Sequence, residues 1–310
     1  MENKLTKEDQ HSSIPKIIHQ IWIGDRKNPV FWSNIWKELY IENNRDWEYK
    51  LWDNENCWDE LKKYPILEKI YTILPHNCHK ADILRYIILY EYGGVYIDID
   101  SIWLNNKSLN NILDELGKNN FFIGRTPNEN EKSVYYLTNG VIGCSKNNDI
   151  MMEIIDEIIK IDNFCANFLT PQYINYISSS KKIGPGLVTK ILKNKSANDI
   201  TILPSYYFYP IIWHNIRVNT LCFKDYKNSF MFQYGLTTNN LIPKNDLIIY
   251  WKDTFILPEK KKELYEFFAL YMIYNKKINT DDEIHIKNNE YIIHNIENWE
   301  TEIKKILEIN

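Results

Sequence analysis

The run Gly93-Gly94-Val95-Tyr96-Ile97-Asp98-Ile99-Asp100 constrains this chain more than any other stretch. Two glycines followed by alternating residues read as a strand entered through a tight reversal. Side chains alternate across a strand, so Val95, Ile97 and Ile99 are expected on one face and Tyr96, Asp98 and Asp100 on the other. The apolar face suits a sheet interior, and the acidic face opens at the strand's end. Two neighbouring carboxylates repel, a cost that a hard cation between or beside them relieves. Asp-x-Asp alone is a weak motif, and its setting gives it meaning.

That setting is His79 to Tyr92, where Ile83, Leu84, Ile87 and Ile88 recur at helical spacing and form a core-facing stripe. Gly93-Gly94 supplies the left-handed residue that ends a helix, and the strand begins at once. Asp82 and Arg85 lie on another face, one turn apart near the helix start. Alone, they read as a surface ion pair of little energetic value. Beside an Asp-x-Asp strand, a shared polar site is the better reading.

Lys80-Ala81-Asp82-Ile83-Leu84-Arg85-Tyr86, followed by Tyr90-Glu91-Tyr92 and Gly93 to Asp100, resembles the signature of family-32 glycosyltransferases. These are Asp-x-Asp sugar transferases of the GT-A fold, and the glucosylating bacterial toxins carry a similar helix and strand. Further blocks agree in order. Ile14 to Gly24 resembles the family's opening strand and Trp47 to Asp53 its second. Thr138-Asn139-Gly140-Val141-Ile142-Gly143, Gly184-Pro185-Gly186-Leu187-Val188-Thr189 and Tyr207-Phe208-Tyr209-Pro210 resemble later ones.

Bulk properties are compatible with such a domain. The 310 residues suffice for one large domain or a domain with an appendage, and 44% hydrophobic content is ample for a core. A net charge of −4 offers no electrostatic reason for a nucleic-acid partner. Cys57, Cys78, Cys144, Cys165 and Cys222 are scattered, with no Cys-x-x-Cys pair and an odd total. That fits the reduced thiols of a cytoplasmic protein better than a disulfide framework. The first ten residues are polar and charged, and no apolar run approaches bilayer-spanning length. Golgi members of the resembled family differ in carrying an N-terminal anchor.

Strands are expected at Lys16 to Ile23, Trp47 to Trp52, Phe121 to Gly124 and Thr138 to Cys144. Helices are expected over Val30 to Glu42, in one or two pieces over Asn56 to Thr72, and over Ile150 to Ile161. Alternating strands and helices indicate an α/β sandwich with a mostly parallel central sheet. Residues 1–13 read as a flexible tail, 14–255 as the GT-A-like catalytic domain, and 256–310 as a C-terminal helical appendage.

The resemblance implies a nucleotide-sugar donor, a hydroxyl acceptor and a divalent cation that neutralises the departing diphosphate. Oxygen-only ligands suit Mn²⁺ or Mg²⁺. By the resemblance, Asp98 and Asp100 are the catalytic, metal-binding carboxylates. Asp100 is the direct ligand, and Asp98 reaches the ribose and the metal's outer shell. Trp22 would stack on the nucleobase, next to Gly24 at the carboxyl end of the first strand. A uracil, and so a UDP-hexose, fits that stacking. Asp82 and Arg85 would hydrogen-bond the donor sugar, because an unmatched buried polar group is costly. Two roles are open to Tyr96, a wall of the donor pocket or packing. Asn139 is either a polar residue near the donor sugar or a turn residue before Gly140. Gly184-Pro185-Gly186 is expected to shape a turn beside the acceptor, and His19 to be a satisfied structural histidine.

One block departs. Where the family usually has His-His-Trp, this chain has Ile248-Ile249-Tyr250-Trp251-Lys252-Asp253. Trp251 could donate its indole N–H to a phosphate, and Asp253 or Asp246 could replace the missing ligand. The resemblance implies retention of anomeric configuration. A sugar-nucleotide-binding protein weakened in catalysis is the alternative. A hydrolase using the two aspartates as acid and base is remote, because such carboxylates sit roughly 5–10 Å apart across the substrate.

Overall fold

The computed structural model describes residues 13–24, 33, 35–103, 107–126, 137–162, 170–196, 198–209, 228–233, 285–287 and 290–292. The chain divides into two compact units. The first comprises residues 1–24, 44–99 and 109–205, and the second residues 25–43, 100–108 and 206–310.

Eight strands matter to the site. They are β1 (Ile17–Ile21), β2 (Glu48–Trp52), β3 (Gly94–Ile97), β4 (Ser101–Trp103), β5 (Phe121–Arg125), β6 (Leu137–Cys144), β7 (Thr201–Leu203) and β8 (Met231–Gln233). Six form the sheet of the first unit in the order β2-β1-β3-β6-β5-β7. The β1–β2, β1–β3 and β5–β7 pairs are parallel, and β6 runs antiparallel to both neighbours. The expected α/β architecture with a mostly parallel sheet is therefore present. β3 and β6 are buried along their whole lengths, as interior strands covered on both faces should be.

The helix Asn77–Tyr92 packs on β1, β3 and β6 and against a second helix, Asp149–Asp162. Every residue from Asp82 to Leu89 is buried, so the apolar stripe has widened to the full circumference. Each fully buried Ile or Leu there contributes roughly 1.5–3 kcal/mol. Gly93 closes the helix with φ 66° and donates its N–H to Leu89 O at 2.9 Å. A Cβ on Gly93 would also collide with Pro15 and the backbone of Lys146, so space and conformation both demand glycine.

In the second unit, β4 pairs antiparallel with β8, with Ser101 opposite Gln233. Trp36, Tyr40, Trp103, Phe208 and Phe230 form its aromatic core, with Tyr40 edge-on to Trp103 at 4.9 Å. The helix expected over Val30 to Glu42 has described parts at Ile35–Tyr40, which is π-helical, and Ile41–Asn43. Most of the expected helical appendage, 256–310, lies outside the described residues. Within it, His285–Lys287 and Glu290–Ile292 form an antiparallel pair that sequence periodicity did not indicate. Among the described residues, no helix is long and apolar enough to cross a membrane.

Candidate functional site

The Asp-x-Asp segment is not a single strand face. β3 ends at Ile97, and Ile99-Asp100 forms a turn before β4 begins at Ser101. The alternation expected through Asp100 fails because the pairing partner changes. β6 lies opposite up to Ile97 and still accepts the Asp98 N–H at Gly140 O, 2.8 Å away, whereas β8 lies opposite from Ser101 onward. Asp98 belongs to the first compact unit and Asp100 to the second.

Asp98 is held at four points. Its N–H donates to Gly140 O, and its carbonyl accepts from Gln20 Nε2 at 3.4 Å. Its Oδ1 accepts from the Tyr96 hydroxyl at 2.8 Å and from Arg85 Nη1 at 3.3 Å. Gln20 is fully buried and in turn accepts from the Tyr49 hydroxyl at 2.9 Å. A carboxylate restrained at backbone and side chain needs little reorganisation to meet a charged ligand.

Asp82 and Arg85 are buried, not a surface pair. Arg85 Nη2 lies 3.1 Å from Asp82 Oδ1, and Arg85 Nη1 donates to both Asn139 O and Asp98 Oδ1. The guanidinium stacks over the Tyr96 ring, 4.4 Å from its centroid. Tyr96 is thus almost wholly enclosed, with its hydroxyl as its tie to the site. Asn139 lies within β6, so its turn reading falls. Its Nδ2 donates to Asp82 Oδ1 at 2.7 Å and to the Tyr86 hydroxyl at 2.8 Å. Tyr86 passes the chain on by donating to Ile183 O at 3.0 Å.

In this network the Arg85 guanidinium is shared between the carboxylates of Asp82 and Asp98. Burial pushes the Asp82 carboxyl up to about 6, against the opposing pull of Arg85 and Asn139. Burial also disfavours the Arg85 charge, but Tyr96, Asp82 and Asp98 outweigh it and hold the guanidinium above its ordinary value.

Asp100 Oδ1 lies 3.4 Å from Gln233 Nε2, within the second unit. Carboxylate oxygens are the donors a hard divalent cation prefers. Among the described residues, no three His, Cys, Asp or Glu side chains gather as a metal cage. Trp251, Asp253 and the alternative Asp246 lie outside the described residues.

Trp22 is half-buried just past β1 and donates its backbone N–H to Trp52 O at 2.8 Å. Gly24 exchanges hydrogen bonds with Asn54, 2.8 Å in each direction, at φ 103°. Any Cβ there would overlap the Asn77 amide at the start of the long helix. His19 is structural: Nε2–H donates to Gly93 O at 2.8 Å, and Nδ1 accepts from Trp52 Nε1 at 3.1 Å. Burial lowers its pKa to about 4, so it stays neutral. Sequence reasoning missed Gln20, Tyr86 and Gln233. Only Tyr86 carried a local signal, four residues after Asp82 on the same helix face.

The model of the glycosyltransferase sugar-binding region containing the DXD motif matches residues 29–122. Inositol phosphoceramide mannosyltransferase 3 of Schizosaccharomyces pombe is 31% identical over 167 residues, covering 53% of this chain and 43% of that protein. The chain therefore spans less than half of that fungal relative. An uncharacterized glycosyltransferase, L373, of Acanthamoeba polyphaga mimivirus is 30% identical over 206 residues, covering 65% of this chain and 75% of the viral protein. Among solved structures, the PaToxG glycosyltransferase covers 58% of this chain and 69% of its own at 20% identity, with a TM-score of 0.39. With the viral relative matched over three quarters of its length and the DXD region matched across the helix and strand that build the site, this chain belongs to the DXD-containing glycosyltransferase family.

Proposed function

We propose that this chain transfers a hexose from a nucleotide diphosphate sugar to an acceptor hydroxyl, with Asp98 and Asp100 binding a divalent cation, Mn²⁺ or Mg²⁺. The observation that supports the reading is the buried Asp82–Arg85–Asp98 network, which joins the end of the Asp-x-Asp strand to its entering helix in one polar site. Such a cation, when bound, offsets the charge that collects on the departing diphosphate. Asp98 presents a fixed carboxylate to it, and Asp100 adds another two residues further along the chain. Arg85 keeps Asp98 oriented and Asp82 ionised. Asp82 and Asn139 address hydroxyls of the donor sugar, and Tyr96 fixes Asp98 through its hydroxyl.

Trp22, half-buried at the carboxyl end of β1, is the base-stacking residue of this reading, with Gly24 letting the chain turn beside it. Trp251, retained from the resembled motif, is assigned to the diphosphate, and Asp253 or Asp246 to the metal in place of the ligand that motif has and this chain lacks. Transfer breaks the bond between the anomeric carbon and the diphosphate and joins that carbon to the acceptor oxygen. The acceptor proton passes to the departing phosphate, and configuration is retained.

UDP-hexose is the first donor to try. GDP-mannose is the second, because the fungal relatives are named as mannosyltransferases. Release of free nucleotide from UDP-glucose, UDP-galactose, UDP-N-acetylglucosamine and GDP-mannose, with Mn²⁺ or Mg²⁺ and with chelator, tests the reading. Cation-dependent release from one donor is expected. Saturable donor binding with no release in any condition would leave only a sugar-nucleotide-binding protein. Anomeric NMR of the product then decides between retention and inversion.

A further inference from the structure

The glycine of the Gly184-Pro185-Gly186 block does more than turn the chain. Gly184 has φ −99° and ψ −156°, extended backbone open to any residue, so its conformation does not call for glycine. Space is what a side chain would have to find. A Cβ at Gly184 would sit 3.2 Å from Asp82 Oδ2 and 3.1 Å from Ser180 Cα, so those neighbours would have to give by a few tenths of an ångström.

The two oxygens of Asp82 are used unequally. Arg85 Nη2 and Asn139 Nδ2 both address Oδ1, whereas Oδ2 is turned toward Gly184. The turn that carries Gly184 is fastened in place. Tyr86 donates to Ile183 O at 3.0 Å, and Ser180 Oγ accepts the Gly186 N–H at 3.1 Å. The wall beside Oδ2 is therefore fixed by the same network that fixes Oδ1, with Gly184 on the side that faces Oδ2.

We infer that Gly184 is a specificity-determining residue, whose missing side chain keeps Asp82 Oδ2 clear to accept one hydroxyl of the donor hexose. A carboxylate oxygen can only accept, so the group it selects must be an O–H donor in this sugar subsite. This inference rests on the nucleotide-sugar reading proposed above. It predicts that any side chain at 184 disturbs recognition of the sugar and spares the nucleotide.

Gly186 supplies an internal control. A Cβ there meets Ser180 O and Lys181 Cα at 3.1 Å, a squeeze comparable to that at Gly184 but aimed at backbone instead of Asp82. Calorimetric titration of wild type, G184A and G186A with UDP, GDP, UDP-glucose, UDP-galactose and GDP-mannose, all with Mn²⁺, gives the ratio of sugar-nucleotide to nucleotide Kd. For the donor that wild type binds, G184A should raise that ratio roughly tenfold to a hundredfold, the worth of one charge-assisted hydrogen bond. G186A should leave the ratio unchanged whatever its loss in Tm.

An unchanged ratio in G184A overturns the inference while leaving the donor reading intact. A wild type that binds none of the five compounds sinks both. Should G184A fail to fold, monodeoxy analogues of the bound donor serve in its place. One deoxygenation must weaken binding to wild type by about tenfold or more and have no effect on D82N. Equal losses in the two proteins would overturn the assignment.

Discussion

The helix Asn77–Tyr92 carries a polar cluster at each end, and the two clusters solve the same electrostatic problem differently. Near its start, Arg85 faces Asp82 and Asp98, with side-chain exposures of 6%, 10% and 26%. Near its end, Lys63 faces Glu60 at 2.6 Å and Glu91 at 4.0 Å, but Lys63 itself is 48% exposed. Tyrosines brace both. Tyr96 donates to Asp98, Tyr92 to Glu60 at 2.6 Å, and Tyr64 to Glu91 at 2.7 Å. The far cluster also has a second cation, Lys50, 4.6 Å over the Tyr92 ring, and its Lys63 is half-exposed. Its charges balance. The near cluster instead holds its ion pairs out of water, where each desolvated charge is costly. Buried ionisable groups with a perturbed pKa, as Asp82 has, gather at functional sites.

The difference is broken most directly by removing each cation. R85M leaves two carboxylates in a largely closed site without their partner and should cost about 3–5 kcal/mol in urea unfolding. It should also abolish cation-dependent nucleotide release. K63M removes a half-exposed charge and should cost under about 1 kcal/mol, with turnover retained. Equal losses in the two variants would mean that burial does not separate the clusters. D100A sharpens the point from the other side. It should lower turnover at least about a hundredfold while leaving the unfolding midpoint nearly unchanged, because Asp100 lies outside the buried network.

A smaller effect comes from the proton on Asp82. Its folded pKa of about 6 lies above its ordinary value of 3.8, because burial penalises the charged form. Between those values the folded chain holds a proton that the unfolded chain has lost. This contribution to stability is therefore complete below about pH 4 and disappears as pH rises through 6. Two units correspond to at most roughly 3 kcal/mol, opposite in sign to the usual carboxylate trend. Function should run the other way, because a protonated Asp82 no longer pairs with Arg85 or accepts a sugar hydroxyl through an anionic oxygen. Sugar-nucleotide affinity should fall with a midpoint near pH 6, and D82N should flatten both profiles. A stability profile for D82N identical to wild type would remove Asp82 as the titrating group.

What could be seen in advance was whatever depends on near neighbours. The helix stop at Gly93 was legible because a left-handed terminator acts within one turn. The helix stripe and the order of strands were legible from periodicity. The pairing of Asp82 and Arg85 with the Asp-x-Asp strand was legible from their setting, whereas Asn139 joined them only through the resemblance. The alternation Tyr96-Asp98-Asp100 misled, because sequence records a strand's pattern but not a change of partner from β6 to β8. The Asn-Gly pair at 139–140 looked like a turn and became buried strand because β3 and β5 hold it from both sides. Gln20 and Gln233 gave no warning. Each meets its aspartate across more than seventy positions of chain, a proximity that only the completed fold creates.

The finest test compares the two bracing hydroxyls. Y96F and Y92F each remove one O–H donated to a carboxylate and keep the ring, so Arg85 retains its stacking on residue 96 and Lys50 on residue 92. At Glu60, Lys63 remains 2.6 Å away and the cluster borders water, so Y92F should cost under about 1 kcal/mol and leave turnover intact. At Asp98, the lost hydroxyl leaves Arg85 as the named side-chain donor to Oδ1, at the longer distance of 3.3 Å. Y96F should therefore cost about 1–2 kcal/mol and free the carboxylate to rotate. That freedom should appear as a several-fold weaker apparent affinity for Mn²⁺ in the turnover assay, more than as a loss of kcat at saturating cation. Rotation about the Asp98 side chain is then a property the buried cluster suppresses and the exposed one tolerates. A Y96F protein with unchanged cation affinity would place the orienting burden on Arg85 and the backbone bonds from Gly140 and Gln20 instead.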